Sequence, residues 1–549
     1  SVLSYPGCTT TDSGSSSTPV ATTTPEVTTP EVTTPEVTTP EVTTPISVGE
    51  VKEIEGGGKV EVIANEDGTE STKLTLGGVE VVVTAPAGAA KEIAPGGIVK
   101  VTFIAPGGVT AAETAKPDGT KISVVTVGGK STQFEALVGA TTKINADGSM
   151  ESTKAVGNVE QKMVIRSDGN MEAELKLEGV ATPTKAVLPP GTEAKPTESG
   201  AIKLTSPVTL PGGGEVSIST GLNKSGQAII KIPKVGDAKP VALPKTPPGA
   251  AVEIVGTTIT ITTPLGETVD ATGRSTAAAS AAETFVGRTT TGAEVLVYNQ
   301  SSDAKFSFSR DLSAAESTTT ITLVTGTARI KQGGVDTEMT LNSGYSITND
   351  AIELSLAAKS NYVSLPANVA LSTADLELDL GDVHSVWVWN TNTPGWEAFS
   401  ADSATSALLD NASIVSLSDG VEVADGMFVY STTAQDVAIA DGRDLSISSV
   451  LASRSAPSNG WYLLAVGNQN DTASGIATLN SNIQTIWVPD GTSWKVYSSN
   501  AATQTAIESE GFTLLGGNDV LPSTSAIWVY VSDAASSSRA GRVATPPSN

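Results

Sequence analysis

The chain of 549 residues contains one histidine, His384, and one cysteine, Cys8. Any Ser-His-Asp or Cys-His mechanism would have to run through His384. Cys8 sits near the start of the sequence, far from it, and no serine stands in a Gly-x-Ser-x-Gly elbow. A single His and a single Cys cannot build a His/Cys zinc cage or a disulfide framework. No Gly-x-x-x-x-Gly-Lys-[Ser/Thr] phosphate loop is present. A glycosidase needs only two carboxylates, but no pair stands out among the 59 acidic residues. The expectation is a chain without catalytic residues. A close carboxylate pair in a deep cleft would instead indicate a secreted hydrolase.

Two other groupings could bind rather than react. In Asp375-Leu376-Glu377-Leu378-Asp379-Leu380, acids alternate with leucines. On a strand, Asp375, Glu377 and Asp379 would share one face at a spacing of about 7 Å, where three carboxylates could hold calcium. The competing reading is a solvated face or a charge-protected edge. All seven Trp residues lie after position 386. Aromatic faces stack on sugar rings, yet a repeated Trp in a small β-module is more often its hydrophobic centre, since each ring buries about 150–250 Å². Trp387 and Trp389 lie two apart, hence on one strand face. Trp389 has no aromatic counterpart in the second repeat described below, so it is the candidate glycan or interface residue.

The elements that would position these groups are strands. Gly (53) and Pro (30) are abundant, and aromatics are only 4%. Such a chain must build its cores from Val, Ile, Leu and Ala. Its length suits about three to five domains. Between 46 and 272 one motif recurs: Asp-Gly-[Thr/Ser/Asn], seven residues, then a Gly-containing turn. Its copies begin at Asp67, Asp118, Asp147 and Asp168 and reach turns at Gly77-Gly78, Gly128-Gly129, Gly157-Asn158 and Glu178-Gly179. Asp-Gly suits a tight hairpin and seven residues is one strand, so the pattern predicts a β-meander. None of these copies has the ligand spacing of an EF-hand loop. The segment 273–285 is the one expected helix or hinge.

The clearest repeat is C-terminal. Val386-Trp387-Val388 matches Ile486-Trp487-Val488, and Trp396-Glu397-Ala398-Phe399-Ser400 matches Trp494-Lys495-Val496-Tyr497-Ser498. Met427-Phe428-Val429-Tyr430 matches Ile527-Trp528-Val529-Tyr530, and Tyr362-Val363-Ser364-Leu365 is set against Tyr462-Leu463-Leu464-Ala465 at an offset of 100. The pattern is similar to small Trp-rich β repeats of bacterial surface proteins. Residues 321–347, from Ile321-Thr322-Leu323 through Gly333-Gly334 to Tyr345-Ser346-Ile347, resemble the β-repeat core of FecR-type periplasmic or surface domains. That resemblance implies a sandwich-like or solenoid-like unit and carries no catalytic residue.

At the N-terminus, Ser1-Val2-Leu3-Ser4-Tyr5-Pro6-Gly7-Cys8 resembles a bacterial lipoprotein cleavage site, which would make Cys8 a lipid attachment point. Tyr5 departs from the Leu usual there. The unit Thr-Thr-Pro-Glu-Val then recurs with prolines at 25, 30, 35, 40 and 45. Proline fixes φ and removes a donor, so this tract suits an extended spacer on the order of 100 Å with O-glycosylation acceptors. Its Val27, Val32, Val37 and Val42 could dock on a neighbouring subunit. No stretch reaches the roughly 18–20 apolar residues of a membrane span. A net charge of −26 disfavours nucleic acid and anionic membrane as partners.

The expected fold is therefore all-β: tandem β-sandwich or β-solenoid-like modules in an elongated multidomain chain. The boundaries are an anchor and Thr/Pro linker at 1–45, a Gly-rich β region at 46–272 and a FecR-like module at 273–358. Trp-rich repeats at 359–433 and 457–534 flank a linker at 434–456, and 535–549 is a tail. The expected function is that of a non-enzymatic extracellular structural protein, a subunit of a cell-surface fibre, filament or sheath that self-associates through its β-modules. The alternative is a surface-anchored adhesin or glycan-binding lipoprotein. No cofactor is expected beyond calcium, and the membrane would be met only through a lipid on Cys8.

Overall fold

The structure is a computed structural model. It describes residues 43–234, 239–263, 284–313 and 318–364, most of 371–440 and 459–532, residues 545–547, and a small strand pair at 268–276. Cys8, Val27, Val32, Val37 and Val42 lie outside the described residues. The described chain is all-β with many open sheets and three short helices, Ser403–Asn411, Ala473–Leu479 and Ala501–Ser509.

Two large sheets share one core. The chain fills them in turn, one meander at a time. The strands Val51–Ile54, Gly58–Ala64, Thr69–Leu76 and Val79–Pro86 open the 14-stranded sheet. The next five, from Ala90–Ala94 to Lys130–Ala136, belong to the 11-stranded sheet. The five from Thr141–Ile144 to Thr184–Leu188 return to the first sheet, and those from Glu193–Pro196 to Val241–Ala242 return to the second. Within a meander all pairing is antiparallel. Between meanders it is parallel: Thr84 beside Lys143, Gln133 beside Glu193, Ala186 beside Val252. Each parallel join links a meander to the next but one, so the intervening unit lies in the other layer.

Four matched turns make the crossovers. Gly88, Gly139, Gly191 and Gly249 have φ of +84°, +76°, +98° and +85°, so they step along the chain by 51, 52 and 58 residues. In the first three, the N–H of the residue after the glycine donates to the carbonyl three residues before it (Pro86, Leu137, Pro189). This is type II turn geometry, which requires a positive φ at the third position.

Strands alternate as a sheet with one buried face must. In Met171–Leu177, Met171, Ala173, Leu175 and Leu177 are buried. Valine, isoleucine and alanine dominate the shared core, with Phe134 and Phe306 its large aromatics.

The Asp-Gly motifs are hairpin turns, of a longer kind than a two-residue loop. Asn65 N donates to Thr69 O and Gly68 N to Asn65 O, and the same pair of bonds recurs at 145–149 and 166–170. Only the glycine takes a positive φ (Gly68 +79°, Gly148 +84°, Gly169 +86°). This is a three-residue loop closed by a glycine bulge. The aspartate serves otherwise: Asp67 Oδ1 accepts from Thr69 N (3.0 Å) and Thr69 Oγ1 (2.6 Å), and Asp118 and Asp147 repeat this with Thr120 and Ser149. The side-chain bond, then the backbone bond, hold these three carboxyls below their ordinary value. The two-residue turns at Gly77-Gly78 and Gly128-Gly129 have both residues at positive φ.

These two turn types should respond differently to a methyl group. A Cβ on Gly148 would lie 2.8 Å from Val109 Cγ1 and 2.9 Å from Ala105, whereas one on Gly128 would meet nothing within 4 Å. Gly128→Ala is expected to cost about 1–2 kcal/mol of backbone strain. Gly148→Ala adds displacement of the facing valine and is expected to cost at least about 1 kcal/mol more. Urea midpoints by far-ultraviolet circular dichroism measure the difference, and equal midpoints would refute the packing role.

The large sheet continues through the boundary expected at 272. Thr258–Thr263 pairs with Lys305–Asp311, which pairs with Thr319–Thr325 and then Gly344–Ile347. The segment likened to FecR domains is shared between two sheets, since Ala328–Gln332 and Val335–Glu338 join a separate four-stranded sheet. Of the segment 273–285, expected as a helix or hinge, Ser275–Thr276 and the start of Thr284–Arg288 are strands, and the rest lies outside the described residues. The expected linker at 434–456 begins with a strand, Gln435–Ile439, paired with Ile352–Leu356.

The C-terminal repeats have the same sheet. Lys359–Ser364, Gly426–Ser431, Val383–Asn390, Gly395–Phe399 and Val415–Ser416 form one in that order. Gly460–Ala465, Ala526–Val531, Ile483–Asp490, Ser493–Tyr497 and Thr513–Leu514 form the other. The first strands align at an offset of 101, not 100. Tyr362 pairs with Phe428 and Leu463 with Trp528, so Leu463, not Tyr462, is the counterpart of Tyr362. A slip of one residue exchanges the faces of a strand.

Candidate functional site: an aromatic seam and a buried latch

The repeats use the same local bonds. Trp387 Nε1 donates to Ser385 Oγ (2.9 Å), as Trp487 Nε1 does to Thr485 Oγ1 (3.0 Å). Ser400 Oγ donates to His384 O (2.6 Å), as Ser498 Oγ does to Gln484 O (2.7 Å). Asp402 caps Ser403–Asn411 and Asn500 caps Ala501–Ser509 through the backbone N–H of Thr405 and of Ala502 and Thr503. His384 therefore occupies the place of Gln484. Its Nε2 lies 3.0 Å from Thr405 Oγ1, whose proton goes to Asp402 (2.6 Å). The hydroxyl is thus committed to the cap carboxylate, and Asp402 is held below its ordinary value first by that side-chain bond.

The two sheets meet through aromatic faces. Trp528, fully buried, makes edge-to-face contacts with Trp389 (centroids 5.5 Å), Trp396 (5.7 Å) and Trp461 (5.9 Å). Tyr362 of the first repeat meets Trp494 of the second at 5.1 Å. Trp389 Nε1 donates to Trp461 O at 3.0 Å. The backbones also approach: a Cβ on Gly426 would lie 2.7 Å from Ala526 Cβ and 2.9 Å from Leu464 O. Trp389 thus sits in the contact between repeats, its ring and its N–H both engaged there. Edge-to-face pairs suit the quadrupole of the rings and add to the burial of their area. Trp387 stays half-buried, whereas its counterpart Trp487 is fully buried beside Phe512 (4.8 Å).

Asp375 departs from the strand expected of its acid–leucine run. It lies in a helical turn, and the N–H groups of Asp375 and Leu376 donate to Ser372 O. Ser372 N and Oγ donate to Asp375 Oδ2 at 3.0 and 2.8 Å, so the carboxylate takes the backbone N–H that precedes the turn, as the acidic half of a capping box does. Leu376 and Leu380, four apart, are both fully buried, and Leu380 N donates to Leu376 O. The leucines face one side by helical period rather than strand alternation. Glu377 and Asp379 lie outside the described residues.

The Asp375 carboxylate is buried and closes a latch onto the large sheets. Lys245 Nζ lies 2.9 Å from Oδ2 and Asn223 Nδ2 donates to Oδ1 at 2.7 Å. Lys224 Nζ also donates to Thr373 Oγ1 at 3.4 Å. Burial acts to raise the carboxyl, but Lys245 and the hydrogen bonds from Lys245, Ser372 and Asn223 outweigh it and hold it below its ordinary value. Both carboxylate oxygens are engaged by the chain's own donors. Among the described residues no group of three or more His, Cys, Asp or Glu is placed to hold a metal ion.

No family model matches the chain, and no curated protein does. Among solved structures it is similar to a triple-arginine mutant of AofleA from Arthrobotrys oligospora. The identity is 13%, covering 54% of this chain and 87% of that one at a TM-score of 0.12. It is also similar to a prolyl endopeptidase of a study of two such enzymes, at 11% identity and a TM-score of 0.11, covering 54% of this chain and 52% of that one. The chain thus spans about half the length of that second structure. Neither likeness carries an argument about fold or function.

Proposed function

We propose that the chain is a non-enzymatic extracellular structural protein, a subunit of a cell-surface fibre, filament or sheath that self-associates through its β-modules. One observation supports this most: two open sheets are extended by successive meanders, and their two ends differ. At the late end, bridges within the chain tie Val241 to Asp350 and Arg288 to Thr348. At the early end, Thr44–Pro45 and Val51–Ile54 are the terminal strands, and no described strand pairs with their outer sides. An unpaired edge is a template for a strand of another chain. Lys52, Glu53 and Pro45 on these short strands disfavour indiscriminate pairing and leave room for a matched partner.

The extracellular placement rests on the Thr/Pro tract, the acidic surface and the lipoprotein-like start. Among the described residues no helix is long and apolar enough to cross a membrane. Attachment through a lipid on Cys8 belongs to the same proposal; a surface-anchored adhesin or glycan-binding lipoprotein is the alternative. Electron microscopy of native material and sedimentation of the full chain over a range of concentrations test it. Filaments, or a concentration-dependent series of assemblies, are expected. A monodisperse monomer at every concentration would overturn the reading.

A further inference from the structure

Glu113 and Lys121 stand on neighbouring antiparallel strands, Thr110–Ala115 and Lys121–Val127. Ala115 is opposite Lys121 and Glu113 opposite Ser123, so the two side chains are diagonal neighbours on one face. That face is turned into the shared core. Glu113 is 0% exposed and Lys121 3%. Such a pair, if fully ionic, should close to hydrogen-bond contact, since desolvation of both charges is recovered only at short range. Here Nζ stops 3.9 Å from Oε1. Nζ instead donates to Ala140 O and Thr142 Oγ1, both at 2.8 Å, and to Val82 O at 3.3 Å. Thr142 Oγ1 donates to Glu113 Oε1. The second oxygen, Oε2, is buried with no hydrogen-bond partner. A buried carboxylate with an unpartnered oxygen is costly.

We propose that Glu113 and Lys121 are joined by an amide bond between Nζ and Cδ. Burial moves both groups toward the neutral acid and neutral amine that this condensation needs. Burial pushes the Glu113 carboxyl up to about 7 against the pull of Lys121 and Thr142. Burial also lowers the Lys121 ammonium against the pull of Glu113. A proton passes from the ammonium to the carboxylate. Rotation about the lysine torsions then brings the Nζ lone pair onto Cδ, and the C–N bond forms. Thr142 holds Oε1 while negative charge builds on it. The first proton having gone to Oε2, Nζ passes its second proton there as well, the C–Oε2 bond breaks, and Oε2 departs as water. One acid and one amine become one amide and one water, so no oxidant, cofactor or activating group is required. The product keeps the Thr142 bond to Oε1, keeps one N–H for Ala140 O, gives up the Nζ bonds to Val82 O and Thr142 Oγ1, and loses the unpartnered oxygen.

Tryptic digestion of the folded full chain, followed by mass spectrometry, decides the matter. Lys116 precedes Pro117 and resists cleavage, so an unlinked chain yields the peptide 101–121 at its sequence mass. The linked chain cannot be cut after Lys121. It is expected to yield 101–130 lighter by one water, with no fragment ions from breaks between 113 and 121. Lys121→Met yields 101–130 without the loss of water, which separates a missed cleavage from a bond. Recovery of 101–121, or of 101–130 at full mass, from the unsubstituted chain would overturn the proposal.

Discussion

Trp528→Ala is expected to destabilise the C-terminal pair of repeats by about 3–5 kcal/mol, the range for emptying a buried large aromatic site. Trp528 is fully buried, and three further Trp rings lean on it from both repeats. Those rings cannot all collapse into the space left, because Trp389 is held by its bond to Trp461 O. Since all seven Trp residues lie in this region, fluorescence excited selectively at tryptophan during urea unfolding reports on the repeats alone. Trp387→Ala, at a half-buried position whose ring meets Trp396 at 6.5 Å, is the comparison and should cost less. A Trp528→Ala midpoint within error of the parent would show that the repeats do not depend on their contact.

The second large effect concerns the latch. Asp375→Ala leaves Lys245 and Asn223 facing an empty site, and breaking such a pair costs on the order of 3 kcal/mol. This is the lower end of the usual range, because the Lys245 side chain keeps 23% exposure to water. Asp375→Asn isolates the charge. The folded carboxyl lies below its unfolded value of 3.8, so its contribution is fully present above that pH. As pH falls further, the unfolded chain takes up the proton first and stability declines through the folded value. The gap between parent and Asp375→Asn should therefore be constant near neutrality and narrow below about pH 4. Denaturant midpoints at a series of pH values measure it. A gap that widens on acidification would mean the carboxyl is not stabilised in its charged form.

Much of the fold was legible because strand period and turn chemistry agree. The Asp-Gly turns and the alternating valines announced a meander, and the aromatic matches announced the C-terminal repeat. The larger rhythm was missed because it is carried by the crossover turns rather than by the Asp-Gly pairs, whose spacing is irregular. Pro86-Ala87-Gly88-Ala89, Leu137-Val138-Gly139-Ala140, Pro189-Pro190-Gly191-Thr192 and Pro247-Pro248-Gly249-Ala250 are alike mainly in the glycine and the small residue after it. At Asp375 the acid–leucine alternation pointed to a strand, but Ser372-x-x-Asp375 before an apolar residue is a helix-start signal, and it prevailed. Glu113 had a visible sign as well: it falls between Ala111 and Ala115 on the inward face, a charged residue where the period calls for an apolar one. The seam could not be read from the sequence, because nothing local says that two copies of a sheet will turn their tryptophans toward each other.

Because each meander bonds not to its predecessor but to the one before that, the large sheets have a parity. Removing one unit of about fifty residues would send every later strand into the opposite layer, joined to a different set of earlier strands. Removing two adjacent units would restore the alternation. Only a change by a pair of units keeps every later strand in its own layer. During synthesis, moreover, each meander must wait for the second one after it before its last edge is covered.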